Sequence, residues 1–365
     1  MAVAPYRSIR EIDWPLLLIT LAVCALGVLQ IYSATLDTVF KDAWSRQVLY
    51  IFAGLVLFFI MSRIDYHTLL GHSYLLYGLA IVGLVAVFVI GTVAGGARRW
   101  IPLGAGFKLQ VSEFVKIVLV LVIARVLTEL KRNELDWRDL LRLGGLIGVP
   151  FLLVARQPDL GTALTYLPVL GVGILLAGLR WKYIAVIVLA LAVTLPAGWY
   201  VLHDYQRARL TTFLDPSQDP KGSGYQVIQS MIAVGHGGMW GQGPTKGTQT
   251  QLQFLPISHT DFIFSSFAEE HGFVGVVVVL GLYFLLLMQI VQNAQTASDN
   301  AGMYVCMGVA GILLFHVLVN VGMVVGRMPV TGIPLPLMSS GGSNTLSVFM
   351  LLGLVNNVRL RRFVN

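Results

Sequence analysis

FLPISHTDFIFSSFAEEHGFVG, Phe254 to Gly275, is the stretch in which a long polar segment ends and an apolar helix of membrane length begins. Asp261 lies at that junction, and Glu269 and Glu270 follow within the next few turns. A carboxylate at the mouth of a helix can be partly desolvated yet accessible, and its pKa then rises toward values useful for proton abstraction. Because membrane helices seldom carry carboxylates without a function, this stretch predicts a chemical site at a membrane surface.

Two interpretations of Asp261 stay open from the residues alone. Asp is favoured at helix N-caps, so Asp261 could cap a helix that begins at Phe262. Alternatively, its carboxylate acts as a base in a cavity. On a helix, Glu269 would follow Asp261 at i+8 on a similar side, whereas Glu270 would point to the opposite side. We therefore expect Asp261 and Glu269 to share a cavity.

The composition indicates an integral membrane protein. Hydrophobic residues make up 56% and charged residues 12% of the 365 residues, whereas about a quarter of a soluble chain is charged. A membrane span needs about 20 apolar residues. The ten predicted spans cover residues 15–35, 47–62, 73–93, 109–128, 140–155, 160–178, 183–200, 262–292, 302–325 and 336–357. The predicted fold is thus an all-α polytopic membrane protein, a single domain over residues 1–365.

The distribution of Lys and Arg predicts the orientation of these spans. The short loops on one side carry the excess of basic residues, which places the N- and C-termini in the cytoplasm. Residues 201–260 then form one long extracytoplasmic loop. The formal net charge of +7 is explained by this topology and by contact with anionic membrane lipids. No basic stripe with interleaved aromatic residues predicts binding to nucleic acid.

A second irregular stretch is GRMPVTGIPLPLMSSGGSNT, Gly326 to Thr345. Its prolines and glycines are incompatible with a straight, uninterrupted helix. Non-helical backbone at membrane depth is tolerated only where protein or a water-filled cavity surrounds it. The stretch therefore predicts a Pro/Gly-broken outer hairpin beside a cavity, on the same side of the membrane as Asp261.

An intramembrane pair of charges is predicted in QVSEFVK, Gln110 to Lys116. Glu113 and Lys116 are three residues apart and share one helix face. Because such charges are costly in a membrane, they are candidate site residues, with Lys116 holding an anionic group that Glu113 orients. The alternative is a self-neutralised pair that only pins two helices together.

Two outer loops add polar candidates. Arg99 stands beside Trp100, and a guanidinium next to an interfacial aromatic suits a phosphate-bearing headgroup, although the two residues could simply anchor the chain at the interface. Gln157 and Asp159 flank a helix break at Pro158. Asp159 is a candidate site residue, with a second helix N-cap as the alternative.

A Gly-rich run, Val234 to Gln249, contains Lys246 and could present backbone N–H groups to a phosphate. The run lacks nucleotide-binding spacing, so the signal is weak. The histidines around it are not at metal-ligand spacing, which argues against a permanent zinc site. A loosely held divalent cation, Mg²⁺ or Mn²⁺, near Asp261 stays open.

Six segments occur together in one order: RRWIPLG, QVSEFVK, RQPDLGTAL, GYQVIQSMIAVGHGGMWGQG, FLPISHTDFIFSSFAEEHGFVG and GIPLPLMSSGGS. With them the chain resembles, over nearly its whole length, the SEDS family of polytopic cell-wall proteins. FLPISHTDFIF and NVGMVVGRMPVTGIPLPL are more similar to the RodA (elongation) branch than to the FtsW (division) branch. The chain departs from the family at Ser340, where Tyr is usual, and at His271, where Leu is common.

The resemblance implies a peptidoglycan glycosyltransferase of the bacterial cell (inner) membrane that polymerises lipid II for elongation and rod shape. Its implied partner is a class B penicillin-binding protein. The family's essential outer aspartate matches Asp261, and its intramembrane Glu and Lys match Glu113 and Lys116. Arg99, Lys116 or Lys246 would then stabilise the leaving diphosphate. The alternatives are a lipid II flippase and a non-catalytic scaffold for a cell-wall transpeptidase.

Overall fold

A computed structural model describes residues 11–36, 38–94, 97–104, 107–130, 134–179, 181–186, 189, 192, 200, 204–216 and 222–362. The described chain is mainly helical. Its helices are α1 (Trp14–Thr35), α2 (Ala43–Arg63), α3 (Tyr66–Gly71), α4 (Ser73–Ile90), α5 (Val111–Glu129), α6 (Trp137–Ala155), α7 (Leu160–Leu164), α8 (Leu167–Leu176), α9 (Asp204–Leu214), α10 (Ser223–His236), α11 (Thr248–Gln251), α12 (Ile263–Gln295), α13 (Asn300–Val324) and α14 (Gly342–Leu360).

Five of the described helices, α1, α2, α4, α12 and α13, are long and apolar enough to cross a membrane. The shorter apolar stretch Leu160–Leu176 contains α7 and α8. Helices also occur at the other predicted spans. Of the predicted span at residues 183–200 the structure describes only residues 183–186, 189, 192 and 200, and residues 183–186 are helical. How many segments cross the membrane therefore stays a prediction.

Helix α5 lies at the centre of the packing, with neighbours in α4, α13 and α14. Its residues Leu119 to Val122 are almost completely buried. Helix α14 packs along α2, and α12 packs between α1 and α13. The start of α5 contacts the start of α14 through Gln110 and Ser343, and α13 contacts the turn before α12 through Asn320 and Asp261.

A small antiparallel sheet corrects the all-α prediction. Strands β1 (Thr92–Ala94), β2 (Ala97–Gly104) and β3 (Phe107–Leu109) pair in chain order. The outer strands have three residues each, too short for a period-2 pattern to be recognised. The sequence did carry a signal, because glycine pairs or Gly-Ala-Gly separate the three short runs, as in β-hairpins.

The Pro/Gly-rich stretch is non-helical, as predicted, up to the start of α14 at Gly342. That start is six residues later than the predicted span at 336. The Ser339 hydroxyl donates to the carbonyl of Thr260 (2.7 Å), and the Ser340 amide donates to the carbonyl of His259 (3.0 Å). The stretch is thus attached to the turn that precedes α12.

Helix α12 is interrupted at Gly272, whose backbone angles are φ 64° and ψ −166°. In a regular helix, the amides of Phe273 and Val274 would donate to the carbonyls four residues earlier. The interruption removes these two hydrogen bonds. Phe273 donates instead to the carbonyl of Gly238 (2.9 Å), and Val274 donates to that of Met239 (3.1 Å). The loop that follows α10 therefore supplies both missing acceptors.

The same loop supplies the two missing donors. The carbonyls of Glu269 and Glu270, freed by the interruption, accept from the amides of Gln242 (3.0 Å) and Gly243 (3.0 Å), respectively. Buried backbone groups must be paired, so this exchange compensates the break in full. The loop between α10 and α11 is therefore built into α12.

Candidate active site

Asp261 lies in the turn before α12, which begins at Ile263. The N-cap position of α12 is Phe262, and no side-chain hydrogen bond caps this helix. The N-cap interpretation of Asp261 is therefore wrong, because the helix begins one residue later than that interpretation requires. The Asp261 side chain is partly exposed, although its neighbours Phe262 and Ile263 are buried. A carboxylate in this position is partly desolvated and accessible.

The charges around Asp261 act in opposite directions. Burial raises the pKa of its carboxyl group above the ordinary value. The positive charges of Arg99 and Arg209 lower that pKa, the negative charge of Asp159 raises it, and a hydrogen bond with Thr260 lowers it. The net shift is upward, which gives Asp261 a more basic carboxylate than an exposed Asp has.

The backbone of the Asp261 turn is held by Asn320 of α13. The side-chain nitrogen Nδ2 of Asn320 donates to the backbone carbonyls of Asp261 (2.9 Å) and Ile333 (2.9 Å). Gly332, whose φ is 70°, lies next to the carboxylate of Asp261. A Cβ at Gly332 would be 3.3 Å from Asp261 Oδ2. We did not identify Asn320 from the sequence, where an uncharged Asn within an apolar segment gives no indication of its partners.

Asp159 and Arg99 form an ion pair beside this turn. The distance between Arg99 Nη1 and Asp159 Oδ1 is 3.4 Å. Asp159 also accepts from the amide of Thr162 (3.3 Å), which caps α7, and from Gln110 Nε2 (2.7 Å). The N-cap alternative for Asp159 is therefore confirmed, and the same carboxylate also holds Arg99 of the sheet. Within the described residues, Arg99 Nε has no hydrogen-bond partner although it is buried.

Two further candidates have local contacts. Gln157 is buried and donates from Nε2 to the carbonyl of Leu84 (2.9 Å), a contact that joins the end of α6 to α4. Trp100 lies on β2, and its carbonyl accepts from the Thr92 hydroxyl (3.2 Å). A role of Gln157 or Trp100 in substrate binding stays a prediction.

Glu113 and Lys116 are ion-paired at 2.7 Å and are almost completely buried. The same oxygen, Glu113 Oε2, accepts from Asn344 Nδ2 (3.0 Å) and from the Ser347 hydroxyl (3.1 Å). Lys116 Nζ also lies 3.2 Å from Nε2 of His316. The pair thus links α5 to α13 and α14, as the helix-pinning alternative requires, and the 0% exposure of Lys116 keeps its ammonium away from solvent.

Glu269 does not share a cavity with Asp261, contrary to our expectation. Its carboxylate accepts from the amides of Gln249 (2.8 Å) and Thr250 (3.1 Å) and from the Thr250 hydroxyl (2.8 Å). These are the unpaired donors at the start of α11, which a carboxylate satisfies well. The side chain of Glu269 therefore fixes α11 to α12.

The Gly-rich run is not an open phosphate cradle at Gln242 and Gly243, whose amides bind the carbonyls of Glu269 and Glu270. The side chain of Lys246 is exposed to solvent. Its backbone amide donates to the carbonyl of Gly243 (3.1 Å), which closes a tight turn.

The described residues contain no group of three or more His, Cys, Asp or Glu side chains that could hold a metal ion. A divalent cation at Asp261 would therefore need ligands from elsewhere. Mg²⁺ commonly takes one or two protein carboxylates and completes its coordination with substrate phosphates and water. Asp261 fits such a role only with a phosphate-bearing substrate in place.

A cavity of about 110 Å³ lies next to the Asp261 turn, between α7, α9 and the Pro/Gly-rich stretch. Its lining is mainly apolar, and Arg209 is its one charged residue among those described. The lining residues are Leu160, Gly161, Leu164, Gln206, Arg209, Leu210, Pro329, Val330 and Thr331. The site thus combines a carboxylate, flanking arginines and an apolar recess, which suits an anionic substrate with a hydrocarbon part.

The chain matches a family described as "Cell cycle protein" (FtsW, RodA and SpoVE) over residues 14–362. It is 41% identical to the peptidoglycan glycosyltransferase MrdB of Escherichia coli (strain K12), over 96% of this chain and 94% of that protein. It is 32% identical to the peptidoglycan glycosyltransferase RodA of Treponema pallidum (strain Nichols), over 98% of this chain and 99% of that protein.

Solved structures with the same fold are also known. One is a chain from work on the structural coordination of polymerization and crosslinking by a peptidoglycan synthase complex, with a TM-score of 0.84, 37% identity and coverage of 97% of this chain and 99% of that one. Another is the rod shape determining protein RodA of Thermus thermophilus, with a TM-score of 0.73, 32% identity and coverage of 97% and 98%.

Proposed function

This chain belongs to the FtsW, RodA and SpoVE family of cell cycle proteins, and from that premise we propose that it is a peptidoglycan glycosyltransferase. Its substrate would be lipid II, which it polymerises into glycan strands for cell elongation and rod shape. The names of its relatives MrdB and RodA support this activity. The observation that carries the catalytic part of the proposal is Asp261, a partly exposed carboxylate in a tightly held turn at the start of a long apolar helix.

In the proposed reaction, the GlcNAc 4-hydroxyl of one lipid-linked sugar attacks the anomeric carbon of another. A new C–O bond forms as the bond between that carbon and the diphosphate oxygen breaks, and the polyprenyl diphosphate leaves with the electron pair. Asp261 accepts the proton of the attacking hydroxyl. Because the donor linkage is α and the product linkage is β, a single in-line displacement with inversion is sufficient.

Asp261 is suited to the role of base by its surroundings. A sugar hydroxyl is a poor nucleophile until its proton is removed during attack, and a more basic carboxylate removes it more readily. Burial raises the pKa of Asp261, while Arg99 and Arg209 favour the ionised form that can accept a proton. When ionised, the Asp261 carboxylate is therefore more basic than that of an exposed Asp.

The leaving diphosphate needs positive charge where its own negative charge accumulates. Arg99 is the best placed candidate, since it is partly exposed and acts electrostatically on Asp261. Lys246 is exposed in the outer loop and is a second candidate. Lys116 is completely buried between Glu113 and His316, so its role is to support the site and not to contact the diphosphate.

We further propose that the chain forms one membrane domain over residues 1–365 with ten spans, both termini in the cytoplasm and residues 201–260 outside. Both substrates carry lipid tails, so a reaction site at the membrane surface is accessible to them from the bilayer. The similarity to a chain of a peptidoglycan synthase complex supports a partner that crosslinks strands, for which a class B penicillin-binding protein is the candidate.

The proposal is tested by lipid II polymerisation with the purified protein and its partner in detergent. Asp261→Asn should lower polymerisation by about 10²- to 10⁴-fold, the range for removal of a general base. The matched control is Asp42→Asn, which makes the same change at an exposed position before α2. Both variants should still bind the partner.

The same assay separates the alternatives. Detergent removes the two compartments, so a flippase would form no polymer there, even as the parent protein. A non-catalytic scaffold predicts that Asp261→Asn has no effect on any polymer made by the partner. Parental turnover by Asp261→Asn would refute the assignment of the base.

A further inference from the structure

We propose that His316 and Asn320, which lie one helical turn apart on α13, are positioning residues for the transfer reaction. They hold the Asp261 turn in its reactive geometry, Asn320 by direct contact and His316 through the neighbouring Pro/Gly-rich stretch. This inference rests on the proposed role of Asp261 as the base.

Asn320 fixes the backbone of the turn. Its side-chain amide has two N–H donors, and they bind the carbonyls of Asp261 and Ile333 at 2.9 Å each. The side chain is completely buried in a helix long and apolar enough to cross a membrane, where unpaired donors would be costly. One amide thus joins three segments: α13, the turn before α12 and the Pro/Gly-rich stretch.

His316 lies one turn before Asn320 on the same face of α13, and it also binds a backbone carbonyl of the Pro/Gly-rich stretch. Its Nδ1 lies 3.1 Å from the carbonyl of Pro334, and its Nε2 lies 3.2 Å from Lys116 Nζ. A carbonyl can only accept and an ammonium can only donate. The geometry therefore assigns a neutral ring with the proton on Nδ1, which donates to Pro334 and accepts from Lys116.

The contacts form one continuous path. Asn320 binds the carbonyls of Ile333 and Asp261. His316 binds the carbonyl of the next residue, Pro334, and contacts Lys116. His316 and Asn320 are at most 1% exposed, so neither contacts a substrate. Their effect must be exerted through the position of Asp261. Displacement of a reacting group by about 1 Å can cost about 10²-fold in rate.

The first test compares Asn320→Leu with Asn357→Leu. Asn357, on α14, is also completely buried, and its amide binds the carbonyls of Met61 (2.7 Å) and Ser62 (3.1 Å) at the other end of the helix bundle. Asn357→Leu removes more contacts, since the Asn357 side chain also donates to the carbonyl of Ile64 and accepts from the amide of Tyr66, so it should lower thermal stability at least as much as Asn320→Leu. Only Asn320→Leu should lower kcat, by about tenfold or more, with KM within about twofold of the parent. Equal effects of both variants on kcat would overturn the proposal.

The second test uses two substitutions of His316 and does not depend on the folding of Asn320→Leu. An Asn amide reaches the position of Nδ1 and can still donate to Pro334, whereas a Gln amide reaches the position of Nε2 and keeps only the contact with Lys116. His316→Asn should keep kcat within about threefold, because Glu113 still pairs with Lys116, and His316→Gln should lose about tenfold. The reverse order, or equal losses, would contradict the proposal.

Asp261→Asn, measured in the same assay, separates the two levels of the argument. An active Asp261→Asn variant refutes the base and with it the proposed function of the turn. An inactive Asp261→Asn variant together with a fully active Asn320→Leu variant refutes only the positioning role.

Discussion

Asp261 has a cost for folding in addition to its proposed role in the reaction. Its pKa is raised in the folded protein, chiefly by burial, so the ionised carboxylate is less favourable there than in the unfolded chain. The folded state therefore binds the proton more tightly, and stability falls as the pH rises from the unfolded pKa through the folded pKa. Above that interval the cost is fully present.

The first prediction for a single residue concerns the thermal stability of the protein. At pH 8, Asp261→Asn should unfold at the same or a higher temperature than the parent, because the amide carries no charge to desolvate. The difference should shrink as the pH is lowered and the parent carboxylate takes up its proton. Thermal unfolding in detergent at several pH values measures it. A variant that is less stable than the parent at pH 8 would contradict the cause that we assign to the shift.

A second prediction follows for the pH dependence of the parent enzyme. Only the ionised Asp261 can accept a proton, so kcat/KM should fall as the pH is lowered through its pKa. That pKa is raised, so the fall should begin at a higher pH than for an exposed Asp. Initial rates of polymerisation between pH 4 and pH 8 measure it, with thermal unfolding as the control for loss of fold.

At the residue scale, the sequence singled out the candidate charged residues but not the side chains that contact them. Asp261, Glu113 and Lys116 stand out because charges are rare and costly in apolar segments. Asn320 does not, because its partner Asp261 is 59 residues away and contributes a backbone carbonyl, which has no sequence signature. Glu269 was misplaced because helical spacing was extended back to Asp261, whereas the helix begins only at Ile263.

Single elements depend on local conformations that the sequence indicates only partly. Proline and glycine content correctly predicted the non-helical stretch before α14, since these residues disfavour regular helix. The interruption of α12 was not predicted, because one glycine in an apolar helix is usually tolerated. What decides it is the loop from Gly238 to Gly243, whose backbone replaces the lost hydrogen bonds.

A prediction at the element scale uses two glycines of α12. A Cβ at Gly272 would overlap the amide nitrogen of Gly241, and the positive φ adds strain, so Gly272→Ala should sharply lower the yield of folded protein. Gly281→Ala is the matched control, because open space surrounds that position. It should be neutral or stabilise the helix by up to about 1 kcal/mol. Folded yield and thermal unfolding measure both, and a well-folded Gly272→Ala variant would disprove the tight fit.

At the scale of the whole molecule, Asp13 joins three helices at the end of the bundle away from Asp261. Its carboxylate accepts from Gln289 Nε2 (2.8 Å) and Asn293 Nδ2 (2.6 Å) of α12, and it pairs with Arg359 Nη1 of α14 (3.2 Å). The side chain is completely buried at the start of α1. Because α1, α12 and α14 all meet there, this contact secures the relative positions of the helices.

The corresponding prediction is that Asp13→Ala destabilises the protein by about 3–5 kcal/mol, since it leaves a partly buried Arg359 without its carboxylate. Glu11→Ala, which removes an exposed carboxylate two residues earlier, should change stability by no more than about 0.5 kcal/mol. Denaturant unfolding in mixed micelles measures both. Equal changes in stability for the two variants would show that Asp13 does not stabilise the packing of the three helices.

Hydropathy and six ordered segments were enough to predict a helical membrane protein and its family, because both signals extend over the whole chain. The small sheet and the polar contacts between helices could not be predicted from hydropathy or from the ordered segments. They depend on three-residue strands and on pairs such as Asp13 and Asn356, which are 343 residues apart. Such pairs form only when the helices are already packed.

The loop that is built into α12 has a consequence for protein engineering. Four backbone hydrogen bonds join Gly238–Gly243 to Glu269–Val274. A chimera that takes the loop after α10 from a relative and keeps its own α12, or the reverse, would pair two backbones that have not been matched to each other. The smallest segment that can be exchanged between relatives as a unit therefore runs from the end of α10 through the interruption of α12.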